Sequence, residues 1–284
     1  MIDRHIDKVR VRRSFERAAL NYDSVAVLQR ELADRLVERL DYVRLEPQHI
    51  LDLGAGTGHA VGALHRRYRR ARVVALDFAH GMLRQARKRG DWLHRPLCVC
   101  ADAESLPLAE GAVDLIVSNA TLQWCDLERA FGECLRVLRP GGLFMFTTFG
   151  PDTLKELRQA WRQVDGDSHV SSFLDMHDIG DALVRARFAD PVMDVERLTL
   201  TYDRVRDLMR DLKTLGAHNA THDRPRGLTG RARLVAVEQA YEIHRTDGRL
   251  PASYEVVYGH AWAPEQKPGA SGIMIPLSAI GGRT

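Results

Sequence analysis

The feature that most constrains this sequence is the glycine-rich segment Leu51-Asp52-Leu53-Gly54-Ala55-Gly56-Thr57-Gly58. An apolar run, a glycine turn and an amphipathic segment in this order predict a strand, a turn and a helix, with the turn backbone open to close approach by a ligand. The third glycine follows the second by two residues, whereas the dinucleotide fingerprint G-x-G-x-x-G places it three residues on. This spacing disfavours a nicotinamide-dependent dehydrogenase, and the chain offers no obvious hydride-transfer constellation.

Short apolar strands alternate with amphipathic helices around that segment. We expect strands at 49–53, 72–77, 97–100, 113–118 and 143–148, and helices at 58–68, 79–89 and 127–138. Such alternation predicts an α/β fold with a Rossmann-like parallel sheet that helices cover on both faces.

The pattern differs before and after this core. Helical spacing predicts two N-terminal helices, and after Phe149 it predicts four helices at 151–163, 175–187, 204–215 and 230–245, with late strands at 192–202 and 253–262. We therefore divide the chain into N-terminal helices (1–45), a core (46–150), a helical cap with a sheet-edge strand near 192–202 (151–250), a final strand (251–263) and a tail expected to be disordered (264–284).

Composition excludes several classes of protein. The 284 residues are 45% hydrophobic and 28% charged, which argues against a disordered or fibrous chain. No apolar stretch approaches the roughly 18 residues of a membrane span, and the charged N-terminus lacks the apolar core of a secretory signal. The spacing of Cys98 and Cys100 does not suit zinc, so we expect no metal site and a reducing, cytoplasmic setting. The net charge of +3 gives no reason to expect nucleic-acid or membrane partners.

Carboxylates follow the ends of successive predicted strands. Asp77 ends the second strand, Asp102 follows the third, and the segment Asp114–Asn119 forms the fourth. Ligands of open α/β sheets bind outside the carboxyl ends of the strands, where a carboxylate can accept hydrogen bonds from ribose hydroxyls or an adenine amino group.

Together these motifs resemble those of class I S-adenosylmethionine-dependent methyltransferases. The resemblance rests on Leu51–Gly58, Leu76-Asp77, Ala101-Asp102, Asp114–Asn119 and Leu138–Gly142. It implies that the three glycines pass under the methionine and ribose, that Asp77 holds the ribose diol and that Asp102 holds the adenine amino group. Asp52 would support either the glycine loop or the ligand amine. The full set of expected cofactor-binding residues is Phe15, Tyr22, Asp52, Gly54, Gly56, Gly58, Asp77, Phe78, Met82, Asp102, Ala103 and Asn119.

Over nearly its whole length the chain is similar to the malonyl-acyl-carrier-protein O-methyltransferases of biotin synthesis, the BioC family. The similarity is carried by Ser14–Asp23, Ser118–Cys125, Thr147–Leu157, Leu208–Asn219 and Pro251–Tyr258, of which Leu208–Asn219 is the most distinctive. The resemblance implies methylation of the free carboxylate of a malonyl thioester, carried by acyl carrier protein or coenzyme A, which masks the charge and starts the pimeloyl chain. Two alternatives remain open: methylation of another small acid or quinone precursor, and a non-methylating assembly factor of the same fold.

The expected chemistry needs positioning rather than a general base. A carboxylate nucleophile, with a pKa near about 4, is already ionised at pH 7. Gln123 and Trp124 follow the fourth strand, where they would position the acceptor, and Arg210 and Lys213 share a face of a cap helix, where either could pair with its carboxylate.

A carrier protein also needs a docking face. Between positions 62 and 95 the chain has ten lysines and arginines against two aspartates, and three more arginines (Arg12, Arg13 and Arg17) lie on the first helix. We favour Arg13 and Arg17 with the cap, because the helices after the glycine loop usually lie away from the acceptor.

Overall fold

The computed structural model describes residues 6–89, 95–217, 219 and 230–265, in which seven strands form one sheet. The strands are β1 (His49–Leu53), β2 (Arg72–Asp77), β3 (Leu97–Cys100), β4 (Val113–Asn119), β5 (Leu138–Phe149), β6 (Ala189–Tyr202) and β7 (Leu250–Trp262). Their order is β3-β2-β1-β4-β5-β7-β6. Strands β1 to β5 pair in parallel, while β7 is antiparallel to both β5 and β6. The predicted α/β fold with a Rossmann-like sheet is confirmed.

Ten α-helices surround this sheet in the described ranges. They are α1 (Lys8–Ala18), α2 (Tyr22–Val25), α3 (Val27–Glu38), α4 (His59–Arg67), α5 (His80–Ala86), α6 (Leu127–Val137), α7 (Lys155–Arg162), α8 (Met176–Arg185), α9 (Val205–Thr214) and α10 (Arg231–Tyr241). The short helix α2 was not expected. No helix in the described ranges is both long enough and apolar enough to cross a membrane.

The core lies on both faces of the sheet because neighbouring residues of a strand point to opposite sides. Ile50 and Leu51 are both fully buried, yet Ile50 belongs to the cluster with α3, α4, α7 and α10, and Leu51 to the cluster with α6 and α8. Fully burying one such side chain contributes about 1.5–3 kcal/mol. A central strand that is apolar at successive positions is therefore expected in a sheet that helices cover on both faces.

Two local features differ from the sequence prediction. The segment Arg139–Gly142, expected to end a helix, lies inside β5, where the register shifts from Val113 opposite Leu138 to Leu115 opposite Leu143. The last strand in the chain, β7, lies between β5 and β6, a strand order that the sequence pattern does not predict, and β6 forms the edge. Alternating apolar and polar residues look the same in either strand direction, so the sequence pattern did not reveal this placement. The tail predicted to be disordered falls largely outside the described residues, which end at position 265.

Candidate active site

Strand register brings the motif residues to one edge of the sheet. Leu53 pairs with Leu76, and Asp77 pairs with Cys100, so the glycine loop, Asp77 and the residues after β3 lie side by side. Asp52 pairs with Val117, which places the residues after β4 next to the same loop. The carboxyl ends of four strands therefore converge, as expected for a ligand site in an open α/β sheet.

The three glycines have different structural roles. All have positive φ angles, 75° at Gly54, 53° at Gly56 and 82° at Gly58. A Cβ at Gly54 would lie 2.1 Å from Thr121 Oγ1, and one at Gly58 would lie 2.9 Å from the Ala86 backbone, so both are required for packing. At Gly56 a Cβ would meet nothing within 4 Å and would extend into open space beside a cavity. Gly56 is thus the position where the backbone is left open to a ligand.

That first cavity encloses about 610 Å³ above the glycine loop. Eleven expected residues line it: Phe15, Tyr22, Gly54, Gly56, Asp77, Phe78, Met82, Asp102, Ala103, Asn119 and Trp124. Two expected cofactor-binding residues, Asp52 and Gly58, do not line it: Asp52 lines an adjoining cavity, and Gly58 caps the N-terminus of α4. Six lining residues were not anticipated: Lys8, Leu76, Ala101, Ala120, Thr121 and Cys125. They neighbour the motifs in space, and only Lys8 comes from a segment without a motif of its own.

Two buried carboxyl groups lie beneath the cavity. Asp77 accepts hydrogen bonds from Gly56 N at 3.0 Å and from Ala79 N at 2.8 Å. Burial raises the pKa of Asp77 to about 6 despite these bonds, which act to lower it. Asp52 is 1% exposed, and its Oδ2 atom has no hydrogen-bond partner among the described residues. Burial and the nearby charge of Asp77 raise the pKa of Asp52 to about 7.

Asp102 is bound by a residue that sequence reasoning missed. Lys8 Nζ lies 2.6 Å from Asp102 Oδ1 and 2.6 Å from Glu104 Oε1. Burial acts to lower the pKa of Lys8, but the hydrogen bonds to the two carboxylates raise it more. Helix α1 is therefore fixed by charge to the loop that follows β3.

Aromatic side chains of the N-terminal segment cover the cavity. The Phe15 ring centroid lies 6.2 Å from that of Phe78 and 5.7 Å from that of Trp124, the latter edge-to-face. Burial and the nearby carboxylates raise the pKa of Tyr22 well above its usual value, so its phenol stays neutral. Both Glu16 carboxylate oxygens accept from Gly81 N at 2.9 Å, which binds α1 to α5 as well.

A second cavity of about 750 Å³ adjoins the first, and Phe15, Tyr22, Ala120 and Trp124 line both. The remaining residues that line it are Gln29, Gln123, Phe149, Thr153, Leu154, Leu157, His169, Val170, Ser171, Phe173, Leu212, Leu215, Ala217, Asn219 and Tyr254. Gln123 and Trp124 thus lie where the sequence analysis expected the acceptor. The other walls come from α3, from β7 and from distant segments of the cap, among them the segments Thr147–Leu157 and Leu208–Asn219 that carry the family resemblance.

The boundary between the two cavities has a strained backbone. Ala120 has a φ angle of 48°, which non-glycine residues rarely adopt. Its N–H donates to Thr147 Oγ1 at 2.9 Å, and its carbonyl accepts from Gln123 Nε2 at 2.6 Å. Thr148 Oγ1 in turn donates to Gln123 Oε1 at 3.3 Å. Bonds to β5 therefore hold the loop after β4 in a conformation that opens it to both cavities.

The structure does not bring Arg210 and Lys213 to the second cavity. Arg210 is 65% exposed and pairs with Asp207 of the same helix at 2.8 Å. Lys213 is exposed, and neither residue lines either cavity. Helix α9 instead contributes Leu212 to the wall, because residues three or four apart share a face and Leu208 and Leu212 form its inward one. The structure thus places Arg210 and Lys213, which were predicted to pair with the acceptor, on the outer face of this helix.

The first cavity fits S-adenosylmethionine. The open side of Gly56 leaves room for a ligand against the backbone. Asp52, with an oxygen that has no hydrogen-bond partner among the described residues, lines an adjoining cavity that shares Gly54 and Gly56 with the first, where it could accept from a cationic amine. Asp77 and Asp102 line the first cavity at adjacent strand ends, where carboxylates can accept from a ribose and an adenine.

Comparison with known proteins agrees with this geometry. Residues 51–146 match the family model described as a methyltransferase domain. The fold is similar to that of the YcgJ protein of Bacillus subtilis, with a TM-score of 0.58, 18% identity, and coverage of 83% of this chain and 99% of that one. Fold, glycine loop and domain match define a class I methyltransferase, a class that uses S-adenosylmethionine, so the prediction of that cofactor is confirmed.

Two curated relatives narrow the class. The chain is 57% identical to the malonyl-[acyl-carrier protein] O-methyltransferase of Methylovorus sp. over 92% of its length and 91% of the relative's. It is 56% identical to the protein of the same name from Laribacter hongkongensis, over 93% and 92% of the two chains. The chain belongs to the malonyl-[acyl-carrier protein] O-methyltransferase family.

Proposed function

We propose that this protein transfers the methyl group of S-adenosylmethionine to the free carboxylate of malonyl-acyl-carrier protein. The product, a malonyl methyl ester, would prime pimeloyl synthesis for biotin. The observation that carries the proposal is the second cavity, which meets the first at four shared residues and so offers an acceptor a path to the methyl donor. Its walls are largely apolar, as suits a chain end whose charge is to be removed.

The residues of this chain bind the two reactants, orient them towards each other and exclude water from the site. When bound, S-adenosylmethionine supplies an electrophilic methyl group on a sulfonium centre. Phe15, Tyr22 and Trp124 close over the junction of the cavities, which favours a dry site for a charged nucleophile. Gln123 and Thr148 hold the loop at Ala120 in place, and this fixes the approach of the acceptor.

No side chain has to take a proton from the acceptor. The malonyl carboxylate is ionised at neutral pH, with a pKa near or below about 4 by analogy with aspartic acid. Burial raises the pKa of Cys125 to about 12, which keeps that thiol protonated and unreactive towards the donor. The reaction therefore depends on alignment and desolvation.

An acidic carrier protein would dock beside α1. Arg12, Arg13 and Arg17 are exposed on this helix, whose Phe15 lines both cavities. The larger basic surface of Arg66, Arg69, Arg70 and Arg72 lies where β1 and β2 begin, at the opposite edge of the sheet from the site. The four cysteines are free, which fits a reducing compartment, and we place the protein in the cytoplasm.

The test is direct. Purified protein is incubated with methyl-labelled S-adenosylmethionine and malonyl-acyl-carrier protein, and the product is treated with mild base. We expect label on the carrier protein that base releases as methanol. Label that appears only with a different small acid would assign another acceptor, and no transfer to any acid despite tight S-adenosylhomocysteine binding would favour a non-methylating factor.

A further inference from the structure

Among the described residues, the side chains that line the second cavity offer almost no charge to an anionic acceptor. Its described lining residues include no lysine, arginine, aspartate or glutamate, and His169 is the one basic side chain among them. A carboxylate that leaves water needs a cation or several hydrogen-bond donors. The group that recognises it should therefore be sought at His169, in the segment between α7 and α8.

The imidazole of His169 is held in a fixed orientation. It is 9% exposed and stacks on the indole of Trp161, with 3.6 Å between centroids and 9° between planes. Its Nε2 atom lies 2.8 Å from Asp165 Oδ1, so Nε2 carries the proton that Asp165 accepts. Nδ1 makes no hydrogen bond in the described part of the chain, and the His169 side chain lines the second cavity as well as a neighbouring one beside Arg158 and Arg162.

Neighbouring groups hold the Asp165 carboxylate against the imidazole of His169. Its Oδ1 atom also accepts from Asp167 N at 3.1 Å, and Arg233 Nη1 lies 3.6 Å from its Oδ2 atom. On the neighbouring residue, the Ser168 carbonyl accepts from Asn219 Nδ2 at 2.6 Å, which ties this loop to the segment after α9. The ring is thus anchored from α7, α10 and the segment after α9 before any acceptor binds.

We propose that His169, as an imidazolium, binds one oxygen of the acceptor carboxylate through Nδ1–H and leaves the other oxygen to attack the methyl group. This inference rests on the proposed function and names the residue that recognises the acceptor. In this arrangement the ring lies between two carboxylates, that of Asp165 at Nε2 and that of the acceptor at Nδ1. Esterification removes the acceptor's charge, so the ion pair is lost in the product and the neutral ester is released more readily.

The experiment compares three variants in the full-length protein: His169→Gln, Asp165→Asn and His177→Gln. His177 is a matched control, since it also pairs with an aspartate, Asp175 at 2.6 Å, but is 83% exposed on α8 and lines neither cavity. For each protein one measures kcat and KM with malonyl-acyl-carrier protein, inhibition by its methyl ester, and the affinity for S-adenosylhomocysteine.

We expect His169→Gln to lower kcat/KM by roughly 10- to 100-fold, the scale of a hydrogen bond to a charged group. Its affinity for S-adenosylhomocysteine should stay within about twofold of wild type, and its preference for the acid over the methyl ester should disappear. Asp165→Asn retains the imidazole and its stacking on Trp161 but removes the carboxylate beside the ring. It therefore tests the contribution of that negative charge to acceptor binding even if His169→Gln folds poorly. It should weaken the same preference, whereas His177→Gln should not.

A His169→Gln protein that binds S-adenosylhomocysteine and keeps the wild-type preference for the acid would overturn the assignment of His169 alone. A wild-type protein that makes no malonyl methyl ester would instead overturn the proposed function, and this inference with it. The two failures are therefore distinguished by the wild-type assay.

Discussion

Lys8 Nζ lies 2.6 Å and 2.7 Å from the two carboxylate oxygens of Asp102, although the two residues are 94 positions apart. Asp102 is the residue expected to hold the adenine of the cofactor, and Lys8 begins helix α1, which covers the same cavity. The carboxylates of Asp102 and Glu104 therefore join the covering helix to the loop that is expected to hold the adenine. Release of the cofactor should depend on how firmly this helix is held.

The first prediction concerns that ion pair. Lys8→Ala removes the bonds to Asp102 and Glu104 and should speed release of S-adenosylhomocysteine about fivefold, equivalent to roughly 1 kcal/mol for a partly exposed pair. Stopped-flow displacement measures the rate, with Arg12→Ala on the exposed face of α1 as the control. Tighter binding in Lys8→Ala would show instead that Lys8 competes with the adenine for Asp102.

The second prediction concerns the open side of the glycine loop. Gly56→Val should abolish binding of S-adenosylhomocysteine, because its side chain would extend into the space beside the cavity and its φ angle of 53° strains a branched residue by about 1–2 kcal/mol. Calorimetry on protein that still melts cooperatively gives the affinity. Gly132→Ala, on the exposed face of α6, is the control because its Cβ meets nothing within 4 Å. Unchanged affinity for S-adenosylhomocysteine in a folded Gly56→Val protein would show that the cofactor does not bind against this loop.

The third prediction is a pH dependence of stability. The carboxyl group of Asp52 has a pKa of about 7 in the fold and an ordinary value of 3.8. Between these values the unfolded chain releases a proton that the folded protein retains, so the free energy of unfolding falls as pH rises through this window, by at most about 4 kcal/mol. Asp52→Asn removes this term and should gain about 1–4 kcal/mol relative to wild type between pH 5 and pH 8.

Urea unfolding without cofactor at the two pH values measures this difference. Asp181→Asn, which removes an exposed carboxylate on α8, should track the wild-type protein at both. A difference between Asp52→Asn and wild type that does not vary with pH would mean that Asp52 is ionised throughout. The same variant should bind S-adenosylmethionine more weakly, since Asp52 holds the unpartnered oxygen beneath the site.

The fourth prediction concerns helix α9. Because Arg210 pairs with Asp207 and Lys213 faces outward, Arg210→Ala and Lys213→Ala should each keep kcat/KM within about twofold of wild type. Leu212→Asp, which places a charge in the wall of the second cavity, should abolish turnover. Steady-state kinetics with malonyl-acyl-carrier protein measures kcat/KM for each variant. A large loss of kcat/KM in Arg210→Ala or Lys213→Ala would show that this helix does supply the cation that pairs with the acceptor carboxylate.

The fifth prediction concerns the docking face. Reversing Arg13 and Arg17 to glutamate should raise KM for malonyl-acyl-carrier protein and flatten its salt dependence, because exposed charges at an interface act mainly on association. The reaction with malonyl-coenzyme A, which lacks the protein body, should barely change. Reversal of Arg69 and Arg70, at the far edge of the sheet, is the matched control. An effect from that control alone would place the carrier on the opposite face.

The sequence by itself determined the cofactor side of the candidate site, whose residues lie in short contiguous motifs. The glycine loop, Asp77 and Asp102 could be predicted because each follows its own strand, and parallel strands bring their carboxyl ends to one edge wherever they pair. The aromatic residues Phe15 and Tyr22 came from the family resemblance, and the structure places both at the junction of the cavities.

Only the tertiary structure decided which residues line the second cavity, where the acceptor is expected to bind. The second cavity combines Gln29 of α3, the loop after β4, the segment around His169, the end of α9 and Tyr254 of β7, and no local periodicity connects them. Helical spacing showed that Arg210 and Lys213 share a face but not which face turns inward, because that depends on what packs against the helix. Lys8 gains its importance from Asp102, which lies 94 positions away and contacts it only once the chain has folded. The partner of His169, Asp165, is only four residues away, but the cavity that His169 lines is built by the fold.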